Sequence, residues 1–259
     1  METLDSREFY DRLAESFDLM TDWAVRLAHE MPFIQRTLEE HKARSILDAA
    51  CGTGWHAITL AQRGYAATGC DASAAMVERA RENAARAYVQ VSFEVADFHH
   101  LDKFPGQFDA VLCLGNSLPH LLSQGDLEDA IGQMRRRLHS GGVLILHNLN
   151  YDMRLEKKPR FFSANGSADT LVWRFADYGP EFITFHTALF RRTPPAGAEK
   201  SAFWTVQVNS TLQRPLRERD LDEALPRAGF GNIRHFGGLD GSSFDRGKSG
   251  DLVILATAG

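Results

Sequence analysis

Cysteine is scarce in this chain. Cys51, Cys70 and Cys113 are an odd number at wide spacing with no CxxC pair, which excludes a disulfide framework and a cysteine-built zinc site. Basic charge is short as well: 29 Lys and Arg stand against 34 Asp and Glu, a net charge of −5. A general nucleic-acid binder carries the opposite footprint. The two local basic runs, residues 135–137 and 157–160, read as the last turn of a helix, where cations suit the dipole, and as a solvated loop. No apolar run approaches the ~18 residues needed to span a bilayer. The start shows no basic segment followed by an apolar core, so no signal peptide is expected and the setting is cytoplasmic. Internal repeats and low-complexity tracts are missing too. What remains is an ordinary globular composition, 259 residues with 44% hydrophobic and 24% charged. That length suits one domain with an insertion, able to bury about 70–75% of its unfolded surface.

The apolar pattern divides the chain. Residues 5–40 read as helical, with Leu13, Phe17, Met20, Trp23, Ala24 and Leu27 forming one stripe and Pro32 starting a new helix or kinking this one. From Ser45, short apolar runs alternate with helical patterns. Strands are expected at 45–50, 66–70, 91–96, 108–114 and 143–147, and helices after the first, second and fourth of them. Ser73 caps the second of these helices, and Gly141-Gly142 stops the third. This alternation means a parallel sheet covered on both faces. After Asn150 the period changes to two. Residues 170–177, 182–192 and 201–213 predict an antiparallel sheet of about three strands, separated by turns at 178–180 and 193–197. A helix at 218–228 and strands at 232–236 and 251–257 complete the pattern. The expected division is a helical cap at 1–43, an α/β core at 44–152 and 214–259, and an inserted β subdomain at 153–213 that serves as a lid or substrate wall.

Chemistry concentrates at the ends of the core strands. In Asp48-Ala49-Ala50-Cys51-Gly52-Thr53-Gly54, the two glycines let the backbone turn sharply and approach a ligand seated at the next helix's N-terminus. Gly52, Gly54 and Ala57 also fit the G-x-G-x-x-A of dinucleotide-binding proteins, which keeps a nicotinamide-dependent oxidoreductase open. Acids at the ends of strands one and three, Asp48 and Asp97, favour a different ligand. Asp71, 19 residues after Gly52, sits where a carboxylate accepts from both ribose hydroxyls, or else caps a helix. Ala72 and Met76 would line an adenine pocket, and Asp97-Phe98 would read the adenine edge. Core packing is the alternative for Met76, and a solvated loop the alternative for Asp97.

The order DAACGTG, GCDAS, VADF and FDAVLCLGNSLPHL over about residues 44–152 resembles the class I S-adenosylmethionine-dependent methyltransferases. Leu114-Gly115-Asn116-Ser117 and Asn150-Tyr151-Asp152 are similar to segments of the glycine and sarcosine N-methyltransferases. The resemblance implies a Rossmann-like seven-stranded sheet with an antiparallel last strand and an inserted antiparallel β lid. It implies S-adenosylmethionine as cofactor, with no metal, and methyl transfer to a small molecule, an amine nitrogen first and an oxygen second. Ala49, Gly52 and Gly54 would border the cofactor's methionine part, Asp71 its ribose and Asp97 its adenine. Leu114 would touch the cofactor and Asn116 would face the substrate. Tyr10, Trp23 and Arg26 would come from the N-terminal helices to the cofactor's carboxylate end, unless they only pack.

One position departs from that pattern. The Arg that directly precedes Asn-Tyr-Asp in glycine methyltransferases, where it binds the substrate carboxylate, is Leu149 here. Leu cannot replace a bidentate clamp. Arg174, Arg191 and Arg192 on the inserted strands are the candidates to supply another. Asn116, His120 and His147 are the candidates to orient an acceptor, each histidine having a structural role as its alternative. Among the insert's aromatics, Trp173 and Trp204 are candidates to hold a cationic amine. A small-molecule partner is expected, with a possible homo-oligomer and neither nucleic acid nor membrane. A cofactor-binding protein without catalysis is the remaining alternative.

Overall fold

The computed structural model describes residues 2–193 and 203–259. Strands β1 (Ser45–Ala49), β2 (Ala66–Asp71), β3 (Ser92–Val95), β4 (Phe108–Cys113), β5 (Leu138–Leu149), β10 (Phe230–Phe236) and β11 (Asp251–Ala258) form a seven-stranded sheet. Its order is β10-β11-β5-β4-β1-β2-β3. Pairing is parallel from β3 to β5, and β11 runs antiparallel between β5 and β10. The central strands are near-continuous apolar runs because both faces are covered. Helices α3 (Trp55–Gln62), α4 (Ala74–Arg86), α5 (Gln124–Arg136) and α7 (Glu218–Arg227) connect strands, and the N-terminal helices α1 (Ser6–Phe17) and α2 (Trp23–Glu40) precede β1.

Local chemistry sets where these helices begin. Carboxylates of Asp5 and Asp22 accept from the N–H groups of Glu8 and Val25, opening α1 and α2. Hydroxyls of Ser73 and Ser123 do the same for α4 and α5. The Asn150 side chain caps the short α6 (Tyr151–Lys157).

The insertion forms a second sheet, β6-β7-β8-β9, antiparallel throughout, from β6 (Phe161–Gly166), β7 (Thr170–Tyr178), β8 (Ile183–Thr193) and β9 (Phe203–Gln213). One face packs inward: Val172 and Leu189 cluster with Phe9, Leu13 and Met20, while Ala176 and Ile183 cluster with Tyr151. Backbone pairing of Leu4 with Thr211 ties the chain's start to β9.

Three local expectations differ from the structure. Pro32 does not start a new helix; α2 runs through it. Residues on both sides of it, Met31, Phe33, Ile34 and Leu38, are buried in one cluster, and that burial outweighs the missing N–H. Gly141-Gly142 does not end a helix either. α5 stops at Arg136, and the glycines lie inside β5, where the pairing with β4 shifts register and Gly141 takes φ +80. The inserted sheet has four strands, because β6 is largely exposed and its paired Phe161-Phe162 hides the alternation. The turn expected at 193–197 lies, beyond Thr193, outside the described residues.

Candidate active site

The glycine turn after β1 is fixed by backbone that only glycine adopts easily. Gly52 and Gly54 have φ +54 and +83, and a Cβ on Gly54 would stand 2.8 Å from both Ala80 Cβ and Phe93 Cζ. Asp71, at the end of β2, ties this turn to the next helix. Its Oδ2 accepts from Gly52 N–H and its Oδ1 from Ser73 N–H, both at 2.9 Å. Burial raises its pKa, and the two N–H donors work against that rise. Asp48, at the end of β1, is buried, and its Oδ2 has no hydrogen-bond partner among the described residues. Burial pushes its carboxyl up to about 6.

The N-terminal helices close over this turn. Asp18 is the hinge: its Oδ1 accepts from Thr53 Oγ1 at 2.6 Å, Trp23 Nε1 at 2.9 Å and Trp55 Nε1 at 3.3 Å, and its Oδ2 accepts from Asn83 Nδ2 at 3.2 Å. Asp11 Oδ1 accepts from Ser73 Oγ at 2.6 Å. Behind them, Glu30 joins Arg26 Nε at 2.8 Å to His56 Nε2 at 2.7 Å. Burial opposes the Glu30 carboxylate, but these partners outweigh it and set its pKa at about 2. Removing Asp18 should cost about 2–3 kcal/mol, since charged hydrogen bonds contribute about 1.5–3 each and do not add. Asp18→Ala is expected to lower the denaturation midpoint at unchanged slope, with Asp18→Asn between it and the wild type.

Between these elements lies a cavity of about 660 Å³. Gly52, Asp71, Ala72 and Met76 line one end, with Asp97 and Phe98 beside them. Tyr10, Trp23, Arg26 and Leu114 line the other parts, and His120 stands across from Tyr10 with Nε2 3.1 Å from the phenol oxygen. Burial lowers the His120 pKa to about 4 and raises that of Tyr10, so both are neutral at pH 7. Asp97 caps the turn that follows β3 through His99 N–H and pairs with His100 Nδ1 at 2.5 Å.

Four of the candidate residues stand behind the wall instead of in it. Ala49 is packed in the core, and Gly54 faces Ala80 and Phe93. Asn116, at φ +69, spends its amide internally: Nδ2 donates to Tyr151 Oη at 3.0 Å and Oδ1 accepts from Leu149 N–H at 3.0 Å. His147 Nδ1 accepts from Gly115 N–H at 3.3 Å, and its Nε2 stands 3.5 Å from Asp251 Oδ1. These two shape the Leu114–Gly115 wall from behind. Trp173 and Trp204 lie on the outer face of the inserted sheet, away from the cavity, where Trp173 stacks on Phe161 at 5.4 Å. Alternation along β7 and β9 puts them opposite Val172, which packs on the N-terminal helices, and Thr211, which pairs with Leu4.

Sequence reasoning passed over Asp11, Asp18, Glu30 and His56. Each has a partner distant in sequence: Ser73 for Asp11, Thr53 for Asp18, and Glu30 and His56 for one another. Glu218, Asp222 and His235 are close enough to share one ion. Arg246 already engages Glu218, and His235 pairs with Asp222 at 2.7 Å.

The sequence model of a methyltransferase domain matches residues 46–142. A glycine/sarcosine N-methyltransferase of Parasynechococcus marenigrum (strain WH8102) is 32% identical over 89% of this chain and 78% of its own length. The chain belongs to the class I S-adenosylmethionine-dependent methyltransferases. A second glycine/sarcosine N-methyltransferase, from Aphanothece halophytica, is 36% identical over 58% of this chain and 57% of its own. Among solved structures, the CcbJ methyltransferase of Streptomyces caelestis superposes with a TM-score of 0.80 at 22% identity, covering 98% of this chain and 99% of that one, a likeness of fold. This methyltransferase therefore uses S-adenosylmethionine and acts on a small molecule. Its cavity fits that cofactor: the Gly52 turn leaves open backbone, Asp71 still has lone pairs for ribose hydroxyls, and the unpartnered Asp48 oxygen suits a cation. Among the described residues no helix is long and apolar enough to cross a membrane.

Proposed function

We propose that this methyltransferase methylates the nitrogen of a small amine held between Leu114–Gly115, Tyr10 and His120. The observation that carries the proposal is the single cavity joining the Asp71 end to the Tyr10–His120 pair. Bound S-adenosylmethionine supplies an electrophilic sulfonium methyl. The protein's task is then alignment, since holding two reactants in attack geometry contributes about 7–11 kcal/mol. Asp71 holds the ribose, Ala72, Met76, Asp97 and Phe98 the adenine, and Gly52 the methionine end, with Arg26 and Trp23 at its carboxylate.

The acceptor must arrive with a free lone pair, so it must be neutral. A desolvated cavity favours that form of an amine. His120, with a pKa of about 4, accepts a hydrogen bond from an N–H but cannot hold its proton at pH 7. It orients the nitrogen, and the proton departs to solvent. In this reading residues 1–43 form a cover, 44–152 and 214–259 the cofactor-binding core, and 153–213 the acceptor wall. The net charge of −5 supports a small acceptor over a nucleic acid.

Incubation with S-adenosylmethionine and a panel of small amines, with release of S-adenosylhomocysteine as readout, tests the proposal. Turnover with an amine and none with the matching alcohol is expected. Cofactor binding without transfer to any amine would overturn it.

Cofactor binding should also depend on Asp48. In the free protein this carboxyl has a pKa of about 6, above its unfolded value. Its contribution to stability is therefore present below the unfolded pKa of roughly 3.9 and is lost as pH rises through 6. A cation in the cavity favours the carboxylate, so binding should release a proton near pH 6 and tighten as pH rises through it. Calorimetry at pH 5 and pH 7 should show about a fivefold difference, absent in Asp48→Asn, as one titrating group displaced by about one pKa unit gives over that interval.

A further inference from the structure

The turn Leu118–His120 is tied to the end of β9. Arg214 N–H donates to the Pro119 carbonyl at 2.7 Å, which sets the preceding residue, Gln213, against His120. Gln213 is buried behind the cavity wall, and its Nε2 lies 3.4 Å from His120 Nε2, the same ring nitrogen that meets Tyr10. Its Oε1 accepts from Tyr151 Oη at 3.3 Å, and Tyr151 Oη accepts from Asn116 Nδ2 at 3.0 Å. Asn116 Oδ1 accepts in turn from Leu149 N–H at 3.0 Å. These bonds form one chain with a single sense, because it begins at a backbone N–H that can only donate. That donor fixes the Asn116 amide, so Nδ2 gives to Tyr151 and the Tyr151 proton goes to Gln213 Oε1. The Gln213 amide nitrogen is left to face His120, and since it cannot accept, His120 Nε2 presents its lone pair. Turning the Gln213 amide round would give the buried Tyr151 oxygen two N–H donors and leave its proton no acceptor. His120 Nδ1 is buried and has no geometric hydrogen-bond partner among the described residues, although the Leu212 backbone beside the ring favours a ring proton.

We propose that Gln213 is a positioning residue of the acceptor site, holding the His120 proton on Nδ1 so that the Nε2 lone pair faces the cavity. Which ring nitrogen of a histidine carries the proton is set by the hydrogen bonds at the other. His120 lines the cavity and Gln213 does not, so Gln213 acts through the ring. The choice of tautomer matters to the transfer. An Nε2 lone pair accepts from an N–H of the amine and leaves the nitrogen's own lone pair free for the methyl. An Nε2–H would donate to that lone pair and cover it. Tyr10 shares the His120 nitrogen, and its hydroxyl, both donor and acceptor, can turn away when an N–H arrives. The end of β9 thereby orients the acceptor, a role that rests on the small-amine reading above.

The tautomer can be read without any acceptor, which separates this role from the transfer assay. Protein carrying nitrogen-15-labelled histidine is loaded with S-adenosylhomocysteine, and the His120 ring signals are assigned by their loss in His120→Gln. Their nitrogen shifts distinguish Nδ1–H from Nε2–H. The wild type at pH 7 should show Nδ1–H. Gln213→Glu, nearly identical in shape and with a carboxylate that only accepts, should put a proton on Nε2. Gln213→Leu, which offers neither donor nor acceptor, should populate Nε2–H. In both variants kcat for an amine should fall about tenfold or more, as a misoriented acceptor loses attack geometry. S-adenosylhomocysteine affinity should stay within about twofold, since Gln213 touches no part of that end of the cavity. An Nε2–H ring in the wild type, or an Nδ1–H ring that survives both substitutions, would overturn the assignment. So would an unchanged kcat in a variant whose proton has moved.

Discussion

Replacing Asp71 with Ala should weaken S-adenosylmethionine binding by more than about 100-fold. Hydrogen bonds to a charged group contribute about 1.5–3 kcal/mol each, and each 1.4 kcal/mol is tenfold in affinity. In the proposed arrangement, two ribose hydroxyls on one buried carboxylate account for the size. A second effect adds to it. The same oxygens accept from Gly52 and Ser73 N–H groups, so the variant also frees the glycine turn and the start of α4. Asp71→Asn keeps one acceptor and should lose about 10- to 100-fold. Calorimetry distinguishes the three proteins, and the thermal shift on adding cofactor should shrink in the same order, because ligand stabilisation follows affinity.

Gly54→Ala should be the most damaging small substitution in the core. Alanine at φ +83 carries backbone strain of about 1–3 kcal/mol. Its Cβ also meets Ala80 and Phe93 at 2.8 Å, and overpacking of that kind costs about 1–3 kcal/mol. The neighbours are themselves buried in one cluster and have little room to yield. Together the two effects lower stability by about 2–6 kcal/mol, a fall in Tm of roughly 5–20 °C for a chain of this size. Gly115→Ala is the control. It has a similar φ, +77, but its Cβ would meet nothing within 4 Å, so only the strain should appear. Denaturation of the free proteins measures both.

The core of this protein was legible in its sequence because its signals are local. A strand that ends in an acid, two glycines, and an acid at the end of the next strand are read from spacing alone. The structure bonds the Gly52 N–H to Asp71 because β1 and β2 are adjacent and parallel. Helix caps such as Ser73 were equally plain.

Contacts that join distant parts were not. Asp18 binds four groups on three elements, and nothing around it in sequence marks it. Asn116 read as a group facing the acceptor, yet its left-handed backbone turns the amide toward Tyr151 and Leu149. Trp173 and Trp204 were candidates by residue type. The register of β7 against β8 and β9, which no composition shows, puts them on the outer face. The three arginines of the insert look alike in sequence; in the structure Arg191 and Arg192 have acids nearby, whereas Arg174 donates to Ser163.

The most direct measurement is a crystal structure of the protein with S-adenosylhomocysteine. The ribose hydroxyls should lie on Asp71, the adenine beside Asp97 and Phe98, and the sulfur should face Leu114–Gly115 with open space toward Tyr10 and His120. A nucleoside bound elsewhere, or a sulfur turned away from Tyr10 and His120, would contradict the active site described here.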